Sequence, residues 1–187
     1  MDPEKDVALL AVAYELQSPR IGVWTRSGWI QGWKNIGWGL PYIIMSRLII
    51  VTISCDTIDG MKAALDDMRD RLSSNAKYFQ TVYNYTFNFA KSEPNQRSLR
   101  KRTYCMIYVT TKIWTALDTA LAYWSLLISH ASKGSALTGK TDGEDVDMTG
   151  GGWEARYTQW WFDYLAKKGT KGVSRDTWVM VRPPPFH

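Results

Sequence analysis

The sequence of this chain predicts an all-α fold, because its apolar residues recur at helical spacing and because capping residues and glycines bound the periodic segments. Between residues 56 and 74, apolar side chains recur at steps of three and four, which places them on one side of a helix. They are Ile58, Met61, Leu65, Met68 and Leu72. The chain has 187 residues, 45% of them hydrophobic, so we expect one globular domain around a single core.

The first two predicted helices are joined by a short breaker segment. Asp2 is placed to cap the first helix, with Pro3 and Glu4 in its first turn, and VALLAVAYEL continues it with apolar residues on most faces. The segment QSPRIGV ends that helix. Thr25 can cap the second helix, which Gly37 closes. One face of the second helix carries Trp29, Trp33 and Ile36.

The remaining predicted helices follow the amphipathic segment at 56 to 74. The segment from about 76 to 91 is rich in aromatic residues, and ALDTALAYWSLLI at 116 to 128 has one apolar stripe. After a Gly-, Ser- and Asp-rich loop at 131–152, which we expect to be flexible, YTQWWFDYLAKK forms a helix that ends at Gly169. Ser174 can cap a last helix that starts RDTW. The buried faces are expected to hold Tyr78, Phe79, Val82, Tyr83, Phe87, Phe89, Leu117, Leu121, Trp124 and Ile128.

Two segments interrupt this helical pattern: WGLPYIIMSRLIIVTIS at 38–54 and RKRTYCMIYVTTKIWT at 100–115. Both are β-branched and aromatic runs without a helical face, which on their own favour two short strands or a hairpin. The longest apolar stretch, residues 43–54, is too short to span a bilayer and contains Arg47. We therefore expect no membrane segment and no membrane partner.

The net charge of +5 would ordinarily suggest nucleic acid as a partner. Five basic residues and no acidic one lie in the two interrupting segments, which leaves 18 basic against 18 acidic residues elsewhere. We therefore expect no nucleic-acid partner, although a nucleic-acid protein that uses the basic run Arg100 to Arg102 stays open as an alternative. Cys55 and Cys105 set neither a disulfide framework nor a metal spacing, which is typical of a soluble intracellular protein.

The segment GSALTGKT at 134 to 141 matches the phosphate-loop pattern. That pattern binds phosphates when it joins a buried strand to a helix, whereas here the preceding sequence is helical and the following DGEDVDMTGGG cannot sustain a helix. We interpret the match as chance. The alternative is a nucleotide-binding protein that uses Lys140 and Thr141.

Other catalytic and metal signals are weak. DVDMTG begins like a calcium loop, but its twelfth position is Arg156, where a bidentate Glu is needed. The histidines are His130 and His187, and neither lies in a recognisable catalytic pattern. We expect no catalytic residue, no metal site and no cofactor.

Three strings carry a resemblance to a known family: TFNFAK at 86 to 91, ALDTALAYW at 116 to 124 and VSRDTW at 173 to 178. They resemble the defective-in-cullin-neddylation family. The resemblance implies a bundle of EF-hand-like helix pairs without calcium ligands. It implies a scaffold, with no active site of its own, that holds the neddylation conjugating enzyme and a cullin together, in the cytoplasm and nucleus.

The resemblance also implies two binding sites. Asp176 matches an acidic position that meets a basic patch on the cullin C-terminal domain, although an acid in the first turn also favours the helix dipole without a partner. A groove receives the acetylated N-terminus of the conjugating enzyme. Its expected lining is Leu9, Leu10, Val12, Leu16, Trp24, Phe89, Tyr123 and Leu126, for each of which plain core packing is the alternative.

Against this family the sequence differs in three ways. The segments 38–54 and 100–115 interrupt joins that are continuous in the family, so we interpret them as insertions that derive from translated intron sequence. A helix pair is expected before MDPEKD. After Trp178 the chain reads VMVRPPPFH, where prolines replace the expected long helix and acidic segment. The domain at 1–187 is therefore expected to be incomplete at both ends, as in an aberrantly spliced or truncated member.

Overall fold

The computed structural model describes residues 6–38, 57–91, 95–100, 116–137, 153–169 and 172–180. Apart from two three-residue strands, the regular elements in these ranges are α-helices, which confirms the predicted all-α class. The chain divides into two compact units, Met1–Arg71 and Leu72–His187. In chain order the elements are α1 (Ala8–Glu15), α2 (Arg26–Trp38), α3 (Ile58–Ser74), α4 (Ala76–Phe89), β1 (Ser98–Arg100), α5 (Ala116–Ala131), α6 (Ala155–Lys167), β2 (Gly172–Ser174) and α7 (Arg175–Met180).

In the first unit, α1 begins later than the sequence suggested. Asp2 lies outside the described residues, and the backbone N–H of Ala8 donates to Oδ1 of Asp6 at 3.0 Å. Asp6 and Val7 are not helical, so a helix that runs on from Pro3 is wrong over these two residues. Asp6 therefore satisfies the first two N-terminal donors of α1, since its carbonyl also accepts from Leu9 N–H at 3.2 Å.

The helix α2 packs against the end of α1 through two glycines. A Cβ at Gly32 would lie 2.8 Å from Cα of Leu16, and one at Gly28 would lie 2.6 Å from the Leu16 carbonyl oxygen. Thr25 caps α2 as predicted, since Gly28 N–H donates to its Oγ1 at 3.1 Å. The close approach of the backbones therefore depends on residues without side chains.

The helix α3 is capped by Thr57, whose Oγ1 accepts from Gly60 N–H at 3.1 Å. Met68 and Leu72 are buried, and Met61 and Leu65 are half-buried, as the periodicity predicts. Ile58 is 73% exposed, so its assignment to the apolar stripe is wrong. The first turn of α3 projects its side chain away from the packed surface.

The second unit is built on α4, α5 and a two-stranded sheet. The predicted aromatic residues of α4 are buried, and Asn75 Oδ1 caps the helix by accepting from Tyr78 N–H at 2.9 Å. The strands β1 and β2 pair antiparallel, with Leu99 opposite Val173 and both side chains buried. In the sequence, β1 lies between α4 and α5, and β2 lies between α6 and α7. The resemblance leads us to expect such helix pairs.

The start of the segment at 131–152 is packed against the end of α3. Ala136 N–H donates to the Ser73 carbonyl at 2.8 Å, and Ser135 Oγ donates to the Ser74 carbonyl at 3.0 Å. Ala136 and Leu137 are buried, and residues 138–152 lie outside the described residues. Further on, α6 ends as predicted at Gly169, which has φ +64° and donates to the Ala166 carbonyl.

The two predicted insertions lie almost wholly outside the described residues. Trp38 is the last residue of α2 and Arg100 the last residue of β1, so each element extends one residue into the predicted insertion. No helix in the described ranges combines the length and apolar character that crossing a membrane requires.

Candidate interaction surface on the last helix

Asp176 is an exposed side chain in the first turn of α7. The helix starts where the sequence predicted, because Ser174 Oγ accepts from Thr177 N–H at 3.1 Å and lies 3.0 Å from Thr177 Oγ1. An acid in this turn is favoured by the partial positive charge at the N-terminus of a helix. The carboxylate is therefore available to a basic partner without a break in the helix.

The opposite side of α7 is held by Trp178, which is fully buried. Its ring stacks on Trp124 with centroids 5.0 Å apart and planes 18° apart, and on Tyr83 at 5.0 Å and 28°. Phe87 lies 5.9 Å away in a tilted arrangement. The residues of this aromatic cluster, Tyr83, Phe87, Trp124 and Trp178, come from three helices, α4, α5 and α7.

Hydrogen bonds satisfy the buried polar groups of the aromatic cluster. Trp124 Nε1–H donates to Tyr83 Oη at 2.8 Å, and Tyr83 Oη–H donates to the Trp178 carbonyl at 2.7 Å. Trp178 Nε1–H donates to the Tyr83 carbonyl at 3.1 Å. Burial raises the pKa of the Tyr83 phenol far above its ordinary value, against a smaller opposing effect of the Trp124 donor. The phenol thus stays protonated and able to donate.

Around Asp176, α7 presents a mixed surface. Arg175 is exposed, Val179 is 37% exposed and Met180 is 75% exposed. A partner here would meet the Asp176 carboxylate beside the Arg175 guanidinium and accessible apolar atoms. Such a surface can take a basic patch that has apolar contacts next to it.

The expected groove residues fall in both units. In the first unit, Leu9 is half-buried, Trp24 is 40% exposed, and Leu10, Val12 and Leu16 are buried. Leu16 packs against the glycines of α2, so core packing accounts for its burial. Trp24 makes an edge contact with Trp29, with ring centroids 5.8 Å apart.

The groove residues of the second unit lie on α4 and α5. Phe89 is 8% exposed and stacks on Tyr85 with centroids 5.6 Å apart. Tyr123 and Leu126 are half-buried on α5. All three are placed on helices, as predicted, and their role in a groove stays a prediction.

Sequence reasoning missed two features. Trp29 is 42% exposed beside Trp24, whereas the sequence pattern placed it only on a face of α2 that it shares with Trp33 and Ile36. Tyr83 and Trp124 were predicted only as apolar-face residues, but they hold the helix that carries Asp176. Their polar atoms gave the available signal, because a buried Tyr or Trp needs a hydrogen-bond partner.

The phosphate-loop match does not have the required setting. Gly134 follows α5 and a turn, not a strand, and a Cβ there would lie 2.8 Å from the Ser73 carbonyl carbon. Lys140 and Thr141, like the calcium-like run from Asp145, lie outside the described residues. Within the described ranges there is no group of three or more His, Cys, Asp or Glu residues that could hold a metal ion.

Comparison with known proteins gives a consistent result. The model of a family described as "Cullin binding" matches residues 60–183. The chain is 26% identical over 185 residues to "Defective in cullin neddylation protein 1" of Cryptococcus neoformans, covering 97% of this chain and 53% of that protein. Its counterpart of the same name in Mycosarcoma maydis is 27% identical over 205 residues, covering 96% and 50%.

A human relative, "DCN1-like protein 4", is 29% identical over 116 residues, which cover 61% of this chain and 33% of that protein. The chain thus spans about half the length of the first two relatives. Asp176 and the aromatic cluster lie inside the residues that the family matches, whereas Leu9 to Trp24 lie before them.

Proposed function

This chain belongs to the cullin-binding family, and from that premise we propose that it binds a cullin and promotes cullin neddylation. The observation that carries the proposal is Asp176, an exposed carboxylate on a helix that a buried aromatic cluster holds from the other side. The names of the relatives support the neddylation part. The proposed contact is the C-terminal domain of the cullin, through a basic patch that meets Asp176.

We propose that the protein works as a scaffold without chemistry of its own. The conjugating enzyme carries the ubiquitin-like modifier, and a cullin lysine receives it. Holding the two side by side converts a bimolecular transfer into an effectively unimolecular one. Rate enhancement of this kind needs a binding surface for each partner on the same chain. The proposal therefore requires no cofactor, and it places the protein where neddylation occurs, in the cytoplasm and nucleus.

The second proposed surface receives the acetylated N-terminus of the conjugating enzyme. Trp24 supports it, because an exposed tryptophan in edge contact with a second exposed tryptophan is an apolar anchor of the kind that binding sites use. The other members proposed in the first unit are Leu9, Leu10, Val12 and Leu16, whereas Phe89, Tyr123 and Leu126 of the second unit are groove residues by the family resemblance alone.

Binding to an isolated cullin C-terminal domain tests the cullin proposal. Asp176→Ala should weaken binding about tenfold or more, because it leaves basic groups of the cullin without their partner. Asp163→Ala is the matched control, since Asp163 is an exposed acid on α6 whose carboxylate accepts from Gln159. Equal affinity of the two variants would show that Asp176 does not hold the cullin.

A further inference from the structure

The structure assigns a positioning role to the Tyr83 hydroxyl, which sets the orientation of α7 and so the direction in which Asp176 faces a partner. The inference rests on the proposed cullin contact for its functional consequence. Its structural part, the orientation of α7, does not depend on that contact. Tyr83 itself is buried, 2% exposed, so it acts through α7 and not by touching the cullin.

The helix α7 is short. The helix has six residues, so it contains few internal hydrogen bonds and cannot hold its own orientation. The last carbonyls of any helix lack partners within it. Tyr83 Oη–H reaches one of them, the carbonyl of Trp178, at 2.7 Å.

Tyr83 and Trp178 are joined by a second hydrogen bond. Trp178 Nε1–H donates to the Tyr83 carbonyl at 3.1 Å, so the same two residues are joined by two hydrogen bonds in opposite senses. Two bonds fix both the distance and the rotation of α7 relative to α4. Trp124 Nε1–H, at 2.8 Å from Tyr83 Oη, fixes the hydroxyl so that its proton points to Trp178.

The orientation of α7 determines the direction of the Asp176 carboxylate at the surface. Asp176 lies two residues before Trp178, so a rotation of α7 about its axis turns the carboxylate out of its direction. Ser174 fixes the start of the helix through Thr177, and Tyr83 fixes the carbonyl side of Trp178. If the Tyr83 bonds are lost, the binding-competent orientation is populated less, and the apparent affinity falls by that fraction.

The experiment compares Tyr83→Phe with Thr86→Val in the full chain. Thr86 is also a fully buried hydroxyl on α4, but its Oγ1 donates to the Val82 carbonyl of its own helix. We expect Tyr83→Phe to weaken cullin binding on the order of fivefold and Thr86→Val to leave it unchanged. Equal affinities would reduce Tyr83 to a packing residue and overturn the inference.

A double-mutant cycle shows whether the effect passes through Asp176. In the Asp176→Ala background, Tyr83→Phe should weaken cullin binding no further, because the side chain that it positions is gone. The same fivefold loss in that background would overturn the positioning role. Circular dichroism under the binding conditions shows that each variant is folded.

Hydrogen exchange separates this inference from the cullin proposal. The amides of Val179 and Met180 bond to carbonyls within α7, so their exchange reports on the helix without any partner. Tyr83→Phe should speed their exchange on the order of fivefold, and Thr86→Val should not. If the chain fails to bind a cullin but exchange responds as expected, the proposed function fails and the positioning of α7 stands. Unchanged exchange in Tyr83→Phe overturns the inference whatever the cullin does.

Discussion

Among single residues, Asp6 links the start of α1 to α3 through one carboxylate. Its Oδ1 accepts from Ala8 N–H at 3.0 Å and from Arg69 Nε at 3.2 Å, and its Oδ2 accepts from Arg69 Nη2 at 2.6 Å. The Arg69 guanidinium lowers the pKa of Asp6 below its usual 3.8, against the opposing effect of burial. The ionised form is therefore the one that folding favours.

This lowered pKa predicts a pH-dependent contribution to stability. A depressed pKa stabilises the fold above about pH 4, and the contribution is lost as the pH falls through the lowered pKa. Asp6→Asn should reduce the free energy of unfolding by about 1 kcal/mol at pH 7, and the difference from the parent should shrink below pH 4. Urea unfolding followed by circular dichroism at several pH values measures it.

The control for this prediction is Asp59→Asn. Asp59 pairs with Lys62 on the surface at 3.1 Å, with 93% of its side chain exposed, so its loss should leave stability unchanged. A constant difference between the Asp6 variant and the parent across the pH range would contradict the prediction.

The residues also show how far sequence reasoning reaches. Trp124 lies on a predicted apolar face, and it is fully buried. The bond between Tyr83 and Trp178 joins positions 95 residues apart, and helical periodicity contains no information about such pairs. The exposure of Trp29 does not follow from its position on one face of α2, because a sequence pattern does not tell whether another element packs against that face.

At the scale of elements, local signals gave the helices and failed for the strands. Thr25 and Ser174 cap α2 and α7 as predicted, because a capping bond is made within three residues of the chain. The strands β1 and β2 have three residues each, which is too short for an alternating pattern. Their pairing buries Leu99 and Val173, so it depends on the tertiary fold and not on local preference.

The packing of α1 on α2 makes a prediction about Gly32. In an isolated helix Gly32→Ala would stabilise by about 1 kcal/mol through helix propensity. In this chain the new Cβ would lie 2.8 Å from Cα of Leu16 and 2.9 Å from the Glu15 carbonyl oxygen, so overpacking of about 1 to 3 kcal/mol opposes it. We expect Gly32→Ala to lower the urea midpoint of unfolding.

Ser27→Ala provides the matched control on the same helix. Ser27 is exposed, so alanine there gains propensity without a new contact, and the midpoint should stay the same or rise. A rise for both variants would mean that α1 moves away from α2 at little cost, and would contradict the close packing inferred at Gly32.

In the whole molecule, the three strings that carry the family resemblance meet in one place. TFNFAK supplies Phe87, ALDTALAYW supplies Trp124 and VSRDTW supplies Trp178, and their rings form the aromatic cluster together with Tyr83. The three strings therefore share a structural role in this chain, which is to support α7. The segments 39–54, 101–115 and 138–152 lie outside the described residues, so the prediction that the first two are insertions stays a prediction.

The last prediction concerns the two proposed binding surfaces, which use different residues. Trp24 belongs to the first compact unit and Asp176 to the second. Trp24→Ala should weaken binding of an acetylated N-terminal peptide of the neddylation conjugating enzyme by a hot-spot amount, about 2 kcal/mol or more, and should leave cullin binding unchanged. Asp176→Ala should weaken cullin binding and leave peptide binding unchanged. Each variant should lose most of the stimulation of cullin neddylation in a reconstituted reaction, because proximity requires both partners at once.

Trp160→Ala is the control for an exposed tryptophan, since Trp160 is 61% exposed on α6 and belongs to neither proposed surface. It should change neither binding event nor the reaction. An unacetylated peptide should bind the parent more weakly if the groove receives the acetyl group, because its charged amine would have to be desolvated. Peptide affinity that is the same for Trp24→Ala and Trp160→Ala would remove Trp24 from the groove. Full stimulation by the Asp176 variant would mean that the cullin is held elsewhere, even if its isolated domain binds more weakly.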